Sequence, residues 1–199
     1  YPLPPQGLRF SPSEVHMHAY EHARLELAWQ TTSVTDPTSW QRTARDKLAE
    51  LMGCSLEPTL PTVLSAKEKS SPRNYQRRKV YLRTDIGADI PVTLIWRPEV
   101  TSVKKVPVLL CLQGTGSGVD LSWGRIRNPV DPIKIALGYT MALAAADRGY
   151  LAVCPEISAF GERSERTIQP RSDDPCIDAA NHALLLGRTL LGERVMDIQ

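Results

Sequence analysis

The sequence predicts an α/β fold in which a helical extension precedes a mostly parallel sheet. Three observations predict it. Two capped helical segments come first, and alternating residues around a turn at 85–89 then indicate a β-hairpin. After the hairpin, short apolar runs alternate with helical segments, as they do in a parallel sheet with helices on its faces.

Helix signals occupy the first 53 residues. The segment Ser11-Pro12-Ser13-Glu14 offers an N-cap, a proline at the first helical position and an acid that closes a capping box, and the helix body is expected over 15–29. Asp36-Pro37 begins a second helix, which Gly53 ends. The prolines of 54–74 predict a linker. We therefore interpret residues 1–75 as a helical extension followed by a linker.

Strand signals follow the linker. Residues 80–83 and 92–96 form the two arms of the predicted hairpin. The continuous apolar run 106–112 is typical of a strand that is buried on both faces of a parallel sheet, and 150–154 is a second short strand. One helix is predicted over 134–148 and a longer one over 174–197, with loops at 121–133 and 155–172.

Charge and cysteine content exclude several classes of protein. The 24 basic and 22 acidic residues leave a net charge of +2, which is too small to indicate a nucleic-acid or membrane-surface partner. No apolar run reaches the roughly 18 residues that a membrane helix needs. The cysteines form no C-x-x-C pair, so neither a zinc site nor a disulfide framework is expected, and Cys111 and Cys154 are interpreted as buried free thiols.

A glycine-rich loop, Gln113-Gly114-Thr115-Gly116-Ser117-Gly118, directly follows the run 106–112. Such a loop turns tightly and presents backbone N–H groups to an anion. A dinucleotide site requires a third glycine where Val119 stands, and its helix would begin earlier. A phosphate loop requires a Lys-Ser/Thr pair that is missing. The third interpretation is the oxyanion loop of an α/β-hydrolase, which follows the third strand of that fold.

Four segments carry a resemblance to a known family, namely 90–92, 107–114, 148–156 and 160–163. In this order they resemble the first half of α/β-hydrolase-fold esterases, and the group with the most similar pattern is that of the acetyl-xylan-esterase and dienelactone-hydrolase-like esterases. The helix end at 187–194 is similar to the helix before the nucleophile strand of that group. The resemblance covers 76–199, which we interpret as the first half of a hydrolase domain.

The resemblance implies hydrolysis of a carboxylic ester, of a small molecule or a carbohydrate, through an acyl-serine intermediate and without a metal or organic cofactor. It implies a G-x-S-x-G serine, an acid and a histidine, and none of them is identifiable in this sequence. The nucleophile is therefore expected beyond Gln199, in a C-terminal half of the same domain, and this chain alone is expected to be truncated and inactive. The oxyanion loop would be Gln113, Gly114, Thr115 and Gly116, with the Thr115 N–H as the donor.

Other interpretations stay open. The chain could be a non-catalytic module for binding or assembly, or a nucleotide-binding domain. Because it begins at Tyr1, an upstream segment is expected to have been removed, and the compartment is left open between cytoplasmic and secreted. Three weaker candidates are Ser117 as a nucleophile, Asp178 with His182 as an acid–base pair, and a zinc site among His16, His18, Glu21 and His22, each more simply explained as structural or surface residues.

Overall fold

The structure is a computed structural model of the 199-residue chain. It describes residues 5–30, 35–55, 57–71, 74–84, 87–100, 105–114, 116–165 and 174–199, with the backbone alone at 67–71. The chain divides into two compact units, Tyr1–Leu48 and Ala49–Gln199. In the described residues, no helix combines the length and the apolar composition needed to cross a membrane.

The first unit contains the predicted capped helix. Helix α1 (Pro12–Glu21) begins with the predicted capping box, in which Ser11 accepts from the Glu14 N–H and the Glu14 carboxylate accepts from the Ser11 N–H. The helix ends eight residues before the expected residue 29, and no residue of α1 is buried. Helix α2 (Pro37–Met52) agrees with the prediction. It begins in the first unit, whereas its last residues, 49–52, and Gly53, with a φ of +62°, belong to the second unit.

The second unit is built on one five-stranded sheet. Its strands are β1 (Thr62–Ser71), β2 (Tyr75–Arg83), β3 (Asp89–Trp96), β4 (Val108–Leu110) and β5 (Leu151–Pro155), in the spatial order β1-β2-β3-β5-β4. Only β4 and β5 pair in parallel, and the other pairs are antiparallel. The predicted order of a hairpin followed by parallel strands with flanking helices is confirmed. The described sheet is mixed, however, and not mostly parallel as expected, and β1 lies within the expected linker.

Strand β4 corrects the prediction of a strand buried on both faces. It is the edge strand of the sheet, and the exposed fractions of Val108, Leu109 and Leu110 are 60%, 43% and 45%. Leu112, just after the strand, is 43% exposed. The prediction was wrong because the apolar composition of a strand shows only that the strand is suited to burial. Whether it is buried depends on neighbouring elements, and none covers the outer edge of β4 among the described residues.

The predicted helix at 134–148 is two helices. Helix α3 (Val119–Ser122) lies before it, α4 (Asp131–Ala136) begins in the expected loop, and α5 (Met141–Asp147) follows a break at Gly138, whose φ is +88°. The Ala-rich α5 packs against β3 and β5, and Ala142 and Ala146 are fully buried there. Small side chains allow this close approach of helix and sheet.

The helix predicted over 174–197 is likewise divided. Helix α6 (Pro175–Leu185) ends before Gly187, and α7 (Leu190–Ile198) begins with Thr189 as its N-cap, whose side chain accepts from the Gly192 N–H at 2.9 Å. Thr189 also ties α7 to the end of α2, because its hydroxyl donates to the Met52 carbonyl at 2.9 Å and its N–H donates to the same oxygen at 3.2 Å.

Candidate functional site

Two loops meet at the carboxyl ends of β4 and β5. The strands are parallel, and the Cys111 N–H continues their pairing by donating to the Val153 carbonyl at 2.8 Å. The glycine-rich loop therefore leaves the sheet beside the loop that follows β5. This edge of a parallel sheet is where ligands bind in open α/β folds.

Gln113 begins the glycine-rich loop and is only 9% exposed. Its side-chain amide donates to the Cys111 carbonyl at 2.8 Å, which fixes the first turn after β4. Its Oε1 atom is buried without a hydrogen-bond partner among the described residues. The side-chain amide of Gln113 thus holds the backbone in place where β4 ends and the loop begins.

The glycines of the loop have different conformations. Gly116 and Gly118 have φ values of +137° and +60°, which other residues rarely adopt. Gly114 is exposed and does not belong to this group. Thr115, the predicted oxyanion donor, lies outside the described residues. The described part of the loop is therefore glycine-dependent at 116 and 118, and the assignment of the donor stays a prediction.

Glu156 joins the two loops. It follows β5 directly, is 4% exposed, and accepts from the Val119 N–H at 3.0 Å and from the Glu162 N–H at 3.4 Å. A Cβ atom on Gly118 would lie 2.0 Å from the carboxylate, and one on Gly161 would lie 2.4 Å from it. Both glycines therefore make room for this one side chain.

The charge of Glu156 is shifted by its surroundings. Burial raises the pKa of its carboxyl group to about 6, although the Val119 and Glu162 N–H groups oppose that shift. The neighbouring Glu162 and Asp120 carboxylates raise it further. Glu156 is therefore partly protonated in mildly acidic solution. The carboxyl group that links the two loops through the Val119 and Glu162 N–H groups thus changes its charge in that pH range.

Asp131 anchors the end of the glycine-rich loop from α4. It is fully buried, and its Oδ2 atom accepts from the Ser117 hydroxyl at 2.6 Å and from the backbone N–H groups of Arg127 at 2.7 Å and Asn128 at 3.0 Å. Burial would raise the pKa of Asp131, but these hydrogen bonds outweigh it and hold the pKa below its ordinary value. The Asn128 side chain also donates to the Ser117 hydroxyl at 2.7 Å.

Ser117 is therefore a structural residue in this geometry, as the simpler interpretation expected. Its hydroxyl lies between a buried carboxylate and an amide, and no histidine contacts it among the described residues. His182 lies exposed on α6, away from the loop in sequence and in element. Neither residue gives the described part of the chain a nucleophile with a base.

The weaker zinc candidate is partly assembled on α1. The ligand atoms of His18, Glu21 and His22 lie within 4.8 Å of one another. The Nδ1 atom of His22 is hydrogen-bonded to the His18 carbonyl at 2.8 Å, and two of the three side chains are exposed. The arrangement follows from the spacing of one helix turn, since residues three and four apart are neighbours on a helix.

A cavity of about 370 Å³ opens at the meeting point of the two loops. Backbone and small polar groups of both loops contribute to its wall, including Gly116, Ser117, Gly161 and Ser164. Glu156 and Asn128 also border it. The cavity therefore lies against the glycine-rich loop at Gly116 and Ser117, on the side of the loop that follows β5.

Glu156 and Asp131 are not among the site residues that the sequence predicts. Each has a sequence feature that could have indicated its role. Glu156 is a charged residue directly after an apolar strand, and Asp131 precedes a proline, as residues at helix N-termini often do. Their partners are distant in sequence, since Glu156 and Val119 lie 37 positions apart. Such pairings are invisible to a search for local motifs.

Comparison with solved structures decides the fold. The chain is similar to a "putative acetyl xylan esterase" from Bacteroides fragilis NCTC 9343, with a TM-score of 0.72 and 21% sequence identity over 98% of this chain. The chain has an acetyl-xylan-esterase-like hydrolase fold. It spans about half the length of that similar protein, 50% of whose chain is covered.

The other comparisons add no argument about the fold. An acetyl xylan esterase from Paenibacillus sp. R4 matches with a TM-score of 0.35 and 15% identity, over 81% of this chain and 51% of the other, and this likeness is too weak to carry a conclusion. No protein-family profile matches the chain, and no curated protein matches it significantly. The fold assignment therefore rests on three-dimensional similarity alone.

Proposed function

We propose that this chain carries the oxyanion-loop half of a carboxylic-ester hydrolase that acts through an acyl-serine intermediate. The observation that carries the proposal is the position of the glycine-rich loop at the carboxyl end of β4, next to β5, in a hydrolase fold. In α/β-hydrolases, the loop after this strand supplies one N–H to the oxyanion of the tetrahedral intermediate. The proposed substrates are small-molecule or carbohydrate esters, as in acetyl-xylan-esterase or dienelactone-hydrolase-like enzymes.

The missing serine, acid and histidine would come from a C-terminal half of the same domain. The exposed edge of β4 supports this part of the proposal, because a further parallel strand would cover Val108 and Leu110 and satisfy the outer backbone groups of β4. A nucleophile at the end of that strand would face the glycine-rich loop. This arrangement requires neither a metal nor an organic cofactor.

The two alternatives receive less support. A dinucleotide site uses the N-terminus of a full helix after its glycine-rich turn, whereas α3 has four residues here. Titration with NAD and NADP tests this alternative, and micromolar binding that Gly116→Val abolishes would favour it. A non-catalytic module would leave the longer protein without esterase activity.

The deciding experiment is an assay of the longer protein on one acetyl ester. Thr115→Pro removes the proposed donor N–H and should lower turnover by about 10²–10³-fold, whereas Thr115→Ala keeps the N–H and should have a small effect. A folded proline variant with wild-type turnover would refute the assignment of the donor. An alanine variant as inactive as the proline variant would show that the side chain acts instead.

The 199-residue chain by itself supplies the second arm of the test. We expect no hydrolysis of p-nitrophenyl acetate above buffer, because an oxyanion loop without a nucleophile gives little catalysis. The matched variant is Ser117→Ala. Hydrolysis that is well above buffer and is lost in this variant would make Ser117 the nucleophile and contradict the proposal.

A further inference from the structure

A second cavity lies on the face of the sheet formed by β2 and β3. Its volume is about 170 Å³. Arg77, Lys79 and Tyr81 point into it from alternate positions of β2, and Trp123 and Arg125 close it from the segment after α3. Three cationic side chains thus converge on one small polar cavity.

The carboxylates of this cavity are already engaged. Asp120 forms an ion pair with Arg127 and lies 3.8 Å from Arg125, and Glu162 forms an ion pair with Lys79. The carboxylate of Glu156 accepts from backbone N–H groups, as described above. Two of the three cations that border the cavity therefore have an acidic partner of their own.

Arg77 is the cation of this cavity that has no ion-pair partner among the described residues. Its guanidinium lies 4.3 Å from the centroid of the Trp123 ring. The Arg125 guanidinium approaches the same ring at 5.8 Å. Burial lowers the pKa of Arg77, Asp120 opposes this, and the like charge of Arg125 lowers it further. A half-buried guanidinium beside a like charge is an arrangement that a bound anion would stabilise.

Trp123 gives the cavity a fixed wall. Its side chain packs against the main core cluster, so the ring that Arg77 stacks on is held from behind. The planar fork of a guanidinium can donate two parallel hydrogen bonds, which match the two oxygens of a carboxylate. One unpaired cation favours a monoanion over a dianion.

We propose that this cavity binds the carboxylate group of a small polar molecule, with Arg77 as its bidentate partner. The ligand would lie in the space between β2 and the segment 119–125, and Lys79 and Arg125 would add long-range attraction. The proposed ester hydrolysis uses none of these three side chains. Carboxylate binding can therefore fail or succeed independently of that proposal.

The experiment titrates the ¹⁵N-labelled 199-residue chain with L-lactate and with its neutral counterpart L-lactamide. The indole N–H resonance of Trp123, assigned with Trp123→Phe, is the reporter. We expect L-lactate to shift this resonance with a dissociation constant on the order of 10 mM, and L-lactamide to leave it unchanged. Inorganic phosphate serves as the competing anion.

Three variants make the test specific to Arg77. Arg77→Met keeps the length of the side chain without its charge and should weaken L-lactate binding at least about tenfold, whereas Arg77→Lys should restore part of the affinity. Arg78→Met is the matched control, because Arg78 is exposed at the next position of β2, on its other face. It should change the affinity less than about twofold. Equal binding of lactamide, tighter binding of phosphate, full affinity in Arg77→Met, or no shift by L-lactate would each overturn the proposal.

Discussion

At the scale of single residues, Glu156 makes the stability of the chain depend on pH. Its folded pKa of about 6 lies above the ordinary value of 4.5, so the folded state favours the protonated carboxyl group. The resulting stabilisation is complete below the ordinary value and is lost as the pH rises through 6. We expect about 1–2 kcal/mol of unfolding free energy to be lost across this window.

The measurement is urea unfolding of the wild type and of Glu156→Gln over a pH series that begins below 4.5 and extends to about one unit above 6. The variant carries no titrating group at this position, and the difference between the two proteins isolates Glu156 from other titrations. We expect the wild type to lose stability relative to Glu156→Gln as the pH rises. Parallel curves would show that Glu156 titrates alike in the folded and unfolded chain.

The thiols give a second prediction at this scale. Cys111 and Cys154 are 2% and 0% exposed, whereas Cys54 and Cys176 are partly exposed. The hydrogen bond that the Cys154 thiol donates to Cys111, together with burial, raises the pKa of Cys154 well above its ordinary value. We expect Ellman's reagent to modify Cys54 and Cys176 in the native chain and all four thiols in guanidinium chloride. Fast native modification of Cys154 would contradict the buried position of β5.

At the scale of elements, the turn before α3 depends on Gly118. Gly118→Ala would set a Cβ atom 2.0 Å from the Glu156 carboxylate, whereas Gly138→Ala at a similar positive φ meets nothing within 4 Å. Both variants carry the strain of a positive φ, but Gly118 also has a ψ of −144°, a combination nearly restricted to glycine. The difference between the variants therefore contains this backbone strain as well as the clash. We expect Gly118→Ala to lower the free energy of unfolding by about 1–3 kcal/mol more than Gly138→Ala does.

A double variant checks the cause of that difference. In a Glu156→Ala background the clash is absent, so the penalty of Gly118→Ala should fall and leave only the backbone strain at Gly118. Denaturant unfolding of the four combinations of Gly118→Ala and Glu156→Ala gives the coupling energy directly. An unchanged penalty in the Glu156→Ala background would mean that the backbone, and not the carboxylate, resists the substitution.

Some boundaries of the helices could be predicted from sequence patterns alone. Caps and breakers act through neighbouring residues, so the capping box at Ser11 and the stop at Gly53 could be read locally. Gly138 and Gly187 are breakers too, but they lie inside long apolar patterns that favoured uninterrupted helices. The roles of Glu156 and Asp131 depend on partners brought together by the sheet, which no local pattern contains.

At the scale of the whole molecule, the outer edge of β4 should govern association. It combines backbone groups that are unpaired in the described structure with apolar side chains that are 43–60% exposed. We expect the 199-residue chain to self-associate as its concentration rises, and Val108→Lys to reduce this, because a charged edge strand resists pairing. Sedimentation velocity over a concentration series is the measurement.

Leu60→Lys is the matched control for this prediction. Leu60 is 99% exposed, so it tests a new lysine at an apolar surface position away from β4. It should leave association unchanged. If both variants reduce association equally, net charge and not the edge of β4 governs it.

The tie between α2 and α7 has a consequence for the rates of folding. The Met52 carbonyl and Thr189 are separated by 137 residues, and a Cβ atom on Gly192 would lie only 2.2 Å from that carbonyl oxygen. Closing so large a loop is entropically expensive, so this contact should form after the transition state, once the sheet between its ends exists. A contact formed that late does not speed folding; it slows unfolding, and so prolongs the lifetime of the native chain.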